Sequence, residues 1–334
     1  MYPLIRPLLF SLDPEKAHSL SMGSLEIASK LGLTKLIYPQ VNRPVELMGL
    51  SFSNAVGLSA GLDKNGDHID ALGSLGFGFI EIGTVTPRPQ PGNPMPRLFR
   101  LPQANAIINR MGFNNLGVEH LVENAKRCKF TGPLGINVGK NFDTPLEQAA
   151  EDYLTCIRAA YDYADYLTVN ISSPNTPGLR NLQQGNDLAN LTQKLVNELK
   201  ALNEESGGSV PLTVKIAPDL DADEIKQMAD TLVASGVDGI IATNTTLERK
   251  AVEGMQHGSE QGGLSGAPVR EQSTKVIQIL SEHLKGELPI IGVGGIETAE
   301  HAKEKVDAGA DLVQIYTGFI YQGPAMISKI AKAL

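Results

Sequence analysis

Residues 212–243 read LTVKIAPDLDADEIKQMADTLVASGVDGIIAT. Two short runs rich in aliphatic and β-branched residues, 212–217 and 239–243, flank a polar-apolar stretch at 223–235. A parallel strand covered on both faces gives a near-continuous apolar run, and the segment between two such strands is a crossover helix. The same unit recurs along the chain. Runs at 55–59, 79–85, 135–138, 166–172, 289–293 and 312–316 have the same character. Most are followed by Gly, Asn, Ser, Thr or Pro and then a helical stretch, as at 298–308. Eight strand–helix units predict an α/β protein closed as a (β/α)₈ barrel, the TIM barrel, in place of two doubly wound sheets. No GxGxxG follows the first strand, which weakens a dinucleotide-binding reading. Residues 45–50 and 51–54 predict a hairpin ahead of the first strand, placed to plug the bottom of the barrel.

Composition excludes several classes. The 334 residues are 42% hydrophobic and 20% charged, enough apolar material for a large core. The net charge is −8, so no basic surface is expected to track a nucleic-acid backbone. Two cysteines, Cys128 and Cys156, without a CxxC, argue against a disulfide framework, a zinc ribbon or an iron–sulfur cluster. Six scattered histidines with no HxxxH pair give a metal site little support. No apolar run has the length of a transmembrane helix, and the N-terminus lacks a small-residue cleavage site. A reducing, cytoplasmic compartment is the expectation.

Residues 1–38 stand outside the strand–helix alternation and form a predicted extension to a catalytic domain at 39–334. Asp13-Pro14-Glu15 is an N-cap, a first-turn proline and a first-turn acid, so a helix starts there. Leu20, Ser24, Ile27, Ala28 and Leu31 fall on one face of it, and Gly32 is a stop. Leu4, Ile5, Leu8, Leu9 and Phe10 form an earlier apolar segment broken by Pro7. The extension has four basic side chains against three acids, a net +1, which leaves the remainder at −9. It is the one segment that an anionic membrane surface would not repel. Its apolar face is expected either against the barrel flank or in the interfacial layer of a membrane.

In such barrels chemistry sits at the C-terminal ends of the strands. The first strand runs into Ser-Ala-Gly-Leu-Asp-Lys-Asn-Gly, which sets Lys64 on the rim behind Ala60 and Gly61, small residues that let a flat ligand approach. A solvated loop lysine is the ordinary alternative. Lys215 lies inside a central strand, where an ammonium needs an anion or polarised acceptor: a cofactor contact or a structural ion pair. Asn109, Asn137, Asn170, Asn175 and Asn244 gather at strand ends. Each alone reads as turn chemistry, but together their amides suit a planar ligand with alternating C=O and N–H groups. Gly292-Val-Gly-Gly295 and Tyr316-Thr-Gly318 follow strands seven and eight, where barrels commonly bind phosphate. Ser173 lies in the loop 170–178 with no neighbouring histidine to activate it, and on composition alone it is a loop residue.

These residues resemble those of the dihydroorotate dehydrogenases, specifically the class 2, quinone-dependent, FMN-containing enzymes of bacterial type. The motifs are AGLDKNG (60–66), EIGTVTPRPQPGNPMPRLFRLP (81–102), NRMGFNN (109–115), NISSPNTPGLR (170–180), KIAPD (215–219), NTT (244–246), GGLSG (262–266), GVGGI (292–296) and YTG (316–318). The resemblance implies oxidation of (S)-dihydroorotate to orotate in pyrimidine biosynthesis, with a membrane quinone as electron acceptor. It implies FMN held by Ala60, Gly61, Leu62, Asp63, Lys64, Thr84, Asn137, Asn170, Lys215, Thr243, Gly266, Gly295, Tyr316 and Thr317. It implies substrate held by Lys64, Asn109, Arg110, Met111, Gly112, Phe113, Asn170, Asn175, Asn244 and Thr245. Ser173 matches the general base, Thr176 is expected to orient a water, and His18, Arg100 and Tyr316 are expected to flank a quinone route. A monomer, bound peripherally through residues 1–38 to the cytoplasmic face of the inner membrane, is the expectation. The serine at the base position and the extension separate this chain from class 1 relatives, which carry cysteine there and use fumarate or a partner subunit. Another FMN barrel acting on a nucleobase is the further alternative.

Overall fold

The computed structural model describes residues 2–183 and 185–334. Three helices come first: α1 (Tyr2–Ser11), α2 (Pro14–Lys30) and α3 (Leu33–Ile37). A hairpin of β1 (Val45–Leu47) and β2 (Leu50–Phe52) leads into β3 (Val56–Leu58), α4 (Ile69–Gly73) and β4 (Phe79–Val85). Next come β5 (Leu98–Leu101), β6 (Ala106–Asn109), α5 (Val118–Ala125), β7 (Leu134–Val138), α6 (Ala149–Ala160) and β8 (Tyr166–Asn170). The chain continues through α7 (Gly185–Ser206), β9 (Leu212–Ile216), α8 (Ala222–Ser235), β10 (Gly239–Ala242), β11 (Gly263–Gly266) and α9 (Arg270–Leu284). It ends with β12 (Ile290–Val293), α10 (Ala299–Asp307), β13 (Leu312–Ile315), α11 (Thr317–Gln322) and α12 (Ala325–Ala333).

Eight strands close into a parallel barrel in the order β3-β4-β7-β8-β9-β10-β12-β13. They are the eight runs read from the sequence: six lose one or two residues at their ends, β4 keeps its bounds, and β7 gains Leu134. The quoted unit, β9-α8-β10, pairs Gly239 with Thr213 through to Ala242 with Ile216. Asp221 caps α8 with a full capping box to Glu224, and Gly236 ends it at φ +76°.

The hairpin plugs the N-terminal mouth as expected. Phe52 packs edge-on against Phe79 with ring centroids 5.1 Å apart, in a buried cluster with Tyr166, Ile291 and Leu312. Higher in the bore the interior is polar. Glu81, fully buried, accepts hydrogen bonds from Asn137 Nδ2 (2.8 Å), Tyr166 OH (3.1 Å) and Gln314 Nε2 (2.7 Å). Such a carboxylate holds its place only because its lone pairs are satisfied.

Two features differ from the sequence reading. A three-stranded antiparallel sheet, β5-β6-β11, stands at the catalytic end and was not anticipated. Its outer strand comes from more than 150 residues further along, so no local pattern signals it: Gly263 pairs with Asn109 and Gly266 with Ala106. Pro7 does not break the first segment, since α1 runs through it. So near the helix start the proline forfeits a single intrahelical bond.

The extension docks through polar contacts and leaves its expected apolar stripe bare. Leu20, Ile27 and Leu31 of the α2 stripe are 55%, 64% and 69% exposed, and Leu4 and Leu8 of α1 are 85% and 69% exposed. The buried side of α2 is Ala17 and Met22. Arg97 fixes α2 to the barrel: its guanidinium donates to Glu15 at 2.9 Å and to the Pro91 and Asn93 carbonyls. On α1, Tyr2 donates to the Ile320 carbonyl, Arg6 to the Tyr321 carbonyl at 3.0 Å, and Phe10 meets the Tyr321 ring at 5.2 Å. Among the described residues no helix is long and apolar enough to cross a membrane.

Candidate active site

A cleft opens at the C-terminal end of the barrel. Ala60, Gly61 and Lys64 reach it from the end of β3, Thr84 from β4, Asn170 from β8 and Lys215 from β9. Thr243 follows β10, Gly266 ends β11, Gly295 follows β12, and Tyr316 and Thr317 follow β13. On its outer side Asn109, Met111, Gly112 and Phe113 come from β6 and the loop after it. Ser173, Asn175, Asn244 and Thr245 come from the loops after β8 and β10. Residues spread over 257 positions of sequence, from Ala60 to Thr317, thus converge on one wall, because every strand of a parallel barrel ends at the same rim.

Four expected residues lie elsewhere. Leu62 and Asp63 face a second cavity described below, and Asp63 spends its carboxylate on the Asp67 and His68 backbone N–H groups at 2.9 and 2.7 Å. Asn137 stands behind the wall, accepting from Thr84 Oγ1 at 2.5 Å while donating to Glu81. Arg110 turns outward to Glu260 at 2.7 Å and lies over the Phe99 ring. Gly318 lines the cleft as its place after β13 suggests, and Ser59, Ser265 and Gln314 line it without having been picked out by their sequence positions. Gln314 had a signal, being the one polar residue in the run Leu312–Ile315.

The electrostatics follow from burial. Lys215 is 4% exposed; desolvation lowers its pKa, Glu81 opposes the shift, and Nζ donates to Ser59 Oγ at 2.9 Å. Lys64 is brought down to about 8 by burial, with Glu15 pulling the other way. Ser173 is buried, and its Oγ accepts from the Asn175 N–H at 3.2 Å. Its neighbour Ser172 is locked by Asn170 Oδ1 and Asn244 Nδ2 at 3.1 and 2.9 Å. Thr176 is buried in the same loop.

The second cavity, about 700 Å³, runs between α1 and α2 and the barrel. Leu8, Leu9, Leu20, Ile37 and Phe319 make its walls largely apolar, and His18 and Arg100 are among its polar groups. Burial, then the charges of Lys64 and His68, bring His18 down to about 4, so it is neutral at physiological pH. Arg100 sits 4.7 Å over the Phe10 ring and donates to the Leu9 and Leu12 carbonyls. Gly61, Lys64, Met111 and Tyr316 line both cavities, so the partition between them is one residue thick. Among the described residues no group of His, Cys, Asp and Glu could hold a metal.

A parallel barrel with a polar, glycine-floored cleft backed by an apolar slot defines an oxidoreductase-type site for a planar cofactor and a small anion. The comparisons name the family. The model of the dihydroorotate dehydrogenase family matches residues 44–334, and this chain belongs to that family. A "Dihydroorotate dehydrogenase (quinone)" of Pseudomonas aeruginosa strain UCBPP-PA14 is 58% identical over all of this chain and 98% of its own length. One of the same description from Marinobacter nauticus is 59% identical over the same shares. A crystal structure of DHODH from Eimeria tenella in complex with ferulenol superposes with a TM-score of 0.89 at 38% identity, over 96% of this chain and 90% of that one.

The family implies a flavin, and the cleft fits one. Gln314 Oε1 is buried on the wall with no hydrogen-bond partner, an acceptor that awaits an N–H. Gly295 and Gly318, on the cleft wall, pack too tightly on the protein for any side chain: a Cβ at Gly295 would lie 2.4 Å from Arg270 Cβ, and at Gly318 1.9 Å from the Ile296 carbonyl oxygen, so both present bare backbone there. Gly295 lies in the loop after β12 and Gly318 in the first turn of α11, and bare backbone of this kind can hold a phosphate through N–H groups.

Proposed function

We propose that this chain oxidises (S)-dihydroorotate to orotate in pyrimidine biosynthesis, passing the electrons through one FMN to a membrane quinone. One observation carries the reading: the polar cleft and the apolar slot share a wall at Gly61, Lys64, Met111 and Tyr316. Two substrates of opposite polarity can then be served from the two sides of one flat cofactor.

FMN, when bound, supplies the two-electron carrier between them. Ala60, Gly61, Lys64, Thr84, Asn170, Lys215, Thr243, Gly266, Gly295, Tyr316 and Thr317 would hold it, with Lys215 placing a positive charge against the ring. Lys64 and the backbone of residues 111–113 hold the substrate carboxylate, and the amides of Asn109, Asn170, Asn175 and Asn244 hold its ring. The C5 proton goes to the Ser173 hydroxyl, whose own proton leaves to a water near Thr176. The loop 173–179 excludes bulk water while this occurs.

Residues 1–38 form the quinone-access and membrane-contact extension of the 39–334 catalytic domain. Support comes from the bare stripe of Leu4, Leu8, Leu20, Ile27 and Leu31 above an apolar slot ending at His18, Arg100 and Tyr316. The chain works as a monomer, since one chain lines both cavities, and it sits peripherally on the cytoplasmic face of the inner membrane. The test is anaerobic mixing with dihydroorotate and then a quinone analogue, followed by flavin absorbance. The first should bleach the flavin and the second restore it. A flavin that stays oxidised in dihydroorotate overturns the reading.

A further inference from the structure

At the base of the loop that carries Ser173, where Asn170 and Asn244 hold the Ser172 hydroxyl, one further side chain ties both ends of the loop together. Arg180 uses all three faces of its guanidinium: Nε donates to the Ser172 carbonyl at 3.0 Å, Nη1 to Asp219 Oδ2 at 2.7 Å, and Nη2 to the Thr245 carbonyl at 2.8 Å. The first bond closes residues 172–180 into a ring. The other two join that ring to the loops after β9 and β10. Asp219 in turn accepts from Thr246 Oγ1, from the Leu247 N–H at 3.2 Å and from Gln272 Nε2 at 3.3 Å. Arg180 and Asp219 side chains are only 19% and 22% exposed, so the pair is sheltered from solvent screening.

We propose that Arg180, held by Asp219, is a positioning residue that sets the Ser173 hydroxyl against the substrate carbon it deprotonates. The inference rests on the reading of Ser173 as the base. Its physical content is a choice of fixed points. Arg180 pins the residue just before Ser173 and, through Thr245, the residue facing the substrate from the opposite loop. The loop can therefore move only between 173 and 179 when substrate enters, and it returns to one geometry when it closes. A planar fork is required, because three acceptors in three directions exceed what a point-charge ammonium fixes.

The test is Arg180→Lys, purified with its flavin and mixed anaerobically with saturating dihydroorotate. Flavin content and orotate affinity should stay within about threefold of the parent, whereas flavin reduction should slow by about tenfold or more, the scale of a misplaced base. The discriminating readout is isotopic. A displaced base makes C5–H cleavage more limiting, so the rate effect of deuterium at C5 should rise while that at C6 does not. A packing role would leave both unchanged. Asp219→Asn keeps the side-chain shape and removes its charge. It should give the same signature more weakly, and it serves as the deciding variant if the lysine variant does not fold. Normal reduction in whichever variant folds, or a slower rate with unaltered isotope effects, overturns the proposal. Ser173→Ala run in parallel separates the two readings: if it reduces its flavin normally, the base assignment has failed and the positioning role falls with it.

Discussion

Ser173 shows how much a residue owes to its loop. Among the described residues no base adjoins it, and its hydroxyl oxygen accepts from the Asn175 N–H. On the proposed reading such a hydroxyl acts by placement alone. Ser173→Ala should keep its flavin and bind orotate but lose about 10²–10⁴-fold in flavin reduction, the usual worth of a positioned base. Stopped-flow absorbance decides it, and near-normal reduction would remove Ser173 from the chemistry. Lys64 shows the opposite case, a residue whose state is set by burial. With its pKa brought down to about 8, it is charged below that pH and neutral above it. An anionic ligand therefore loses its cationic partner as pH rises, and orotate affinity should fall through pH 8. Spectral titrations of the flavin with orotate at a series of pH values measure this, with Lys64→Met as the flat control. Affinity that holds steady above pH 8 in the parent would mean that Lys64 does not carry the carboxylate.

At the scale of elements, α1 and α2 are attached to the barrel by polar clamps and expose their apolar sides. A helix built only to pack would bury Leu20, Ile27 and Leu31 and expose the rest. Here those three are exposed, α2 meets the barrel through Ala17, Met22 and Leu25, and the attachment is secured by Arg97–Glu15, by Arg100 on the Leu9 and Leu12 carbonyls, and by Arg6 on Tyr321. Removing residues 1–38 should therefore release the protein from membrane vesicles and abolish turnover with long-chain quinones. Dihydroorotate should still bleach the flavin, because no residue of the extension lines the inner cleft. Arg97 loses Glu15 in the truncated chain, so flavin content is the control for an intact barrel. Binding to vesicles should yield to detergent more than to salt, since apolar burial outweighs a net charge of +1. A truncated chain that reduces a long-chain quinone as fast as the parent would reduce the helices to packing.

Across the whole molecule, the barrel stores an electrostatic cost far from any substrate. Lys305, fully buried between α9 and α10, donates to the Arg270 carbonyl and to Thr274 Oγ1, both at 2.8 Å. Neither acceptor is charged, and burial brings the amine from 10.5 to about 7. Between those two values the unfolded chain holds a proton that the folded chain has released, so stability rises with pH across that window. The slope for one such group reaches about 1.4 kcal/mol per pH unit. Lys305→Met removes the group, and Thr274 still donates to the Arg270 carbonyl at 2.9 Å. The difference in unfolding free energy between variant and parent should shift in favour of the parent as pH rises above 7. Denaturant titrations at several pH values read this directly, and a difference independent of pH would show that Lys305 keeps its ordinary proton affinity.

What the sequence determined by itself was whatever is written in neighbouring residues. The eight barrel strands are apolar runs with turn residues behind them. The start of α2 is spelled by Asp13-Pro14-Glu15, its stop by Gly32, and the floor of the cleft by glycines after β12 and β13. Longer motifs carried the family. The tertiary structure alone decided which way side chains face and which distant segments meet. A strand buried on both faces is apolar on both, so its pattern does not say which alternate residues point into the bore. Hence Glu81 and Gln314 proved to be the interior hub, while Asn137 stands behind the wall it was expected to line. In the loops, direction depends on the closed turn. Leu62 and Asp63 face the slot, Arg110 faces Glu260, and Arg180, read only as part of a motif, ties three loops together. The sheet that brings β11 beside β6 pairs residues more than 150 positions apart. Such pairings depend on closure of the whole barrel, and no window of sequence contains it.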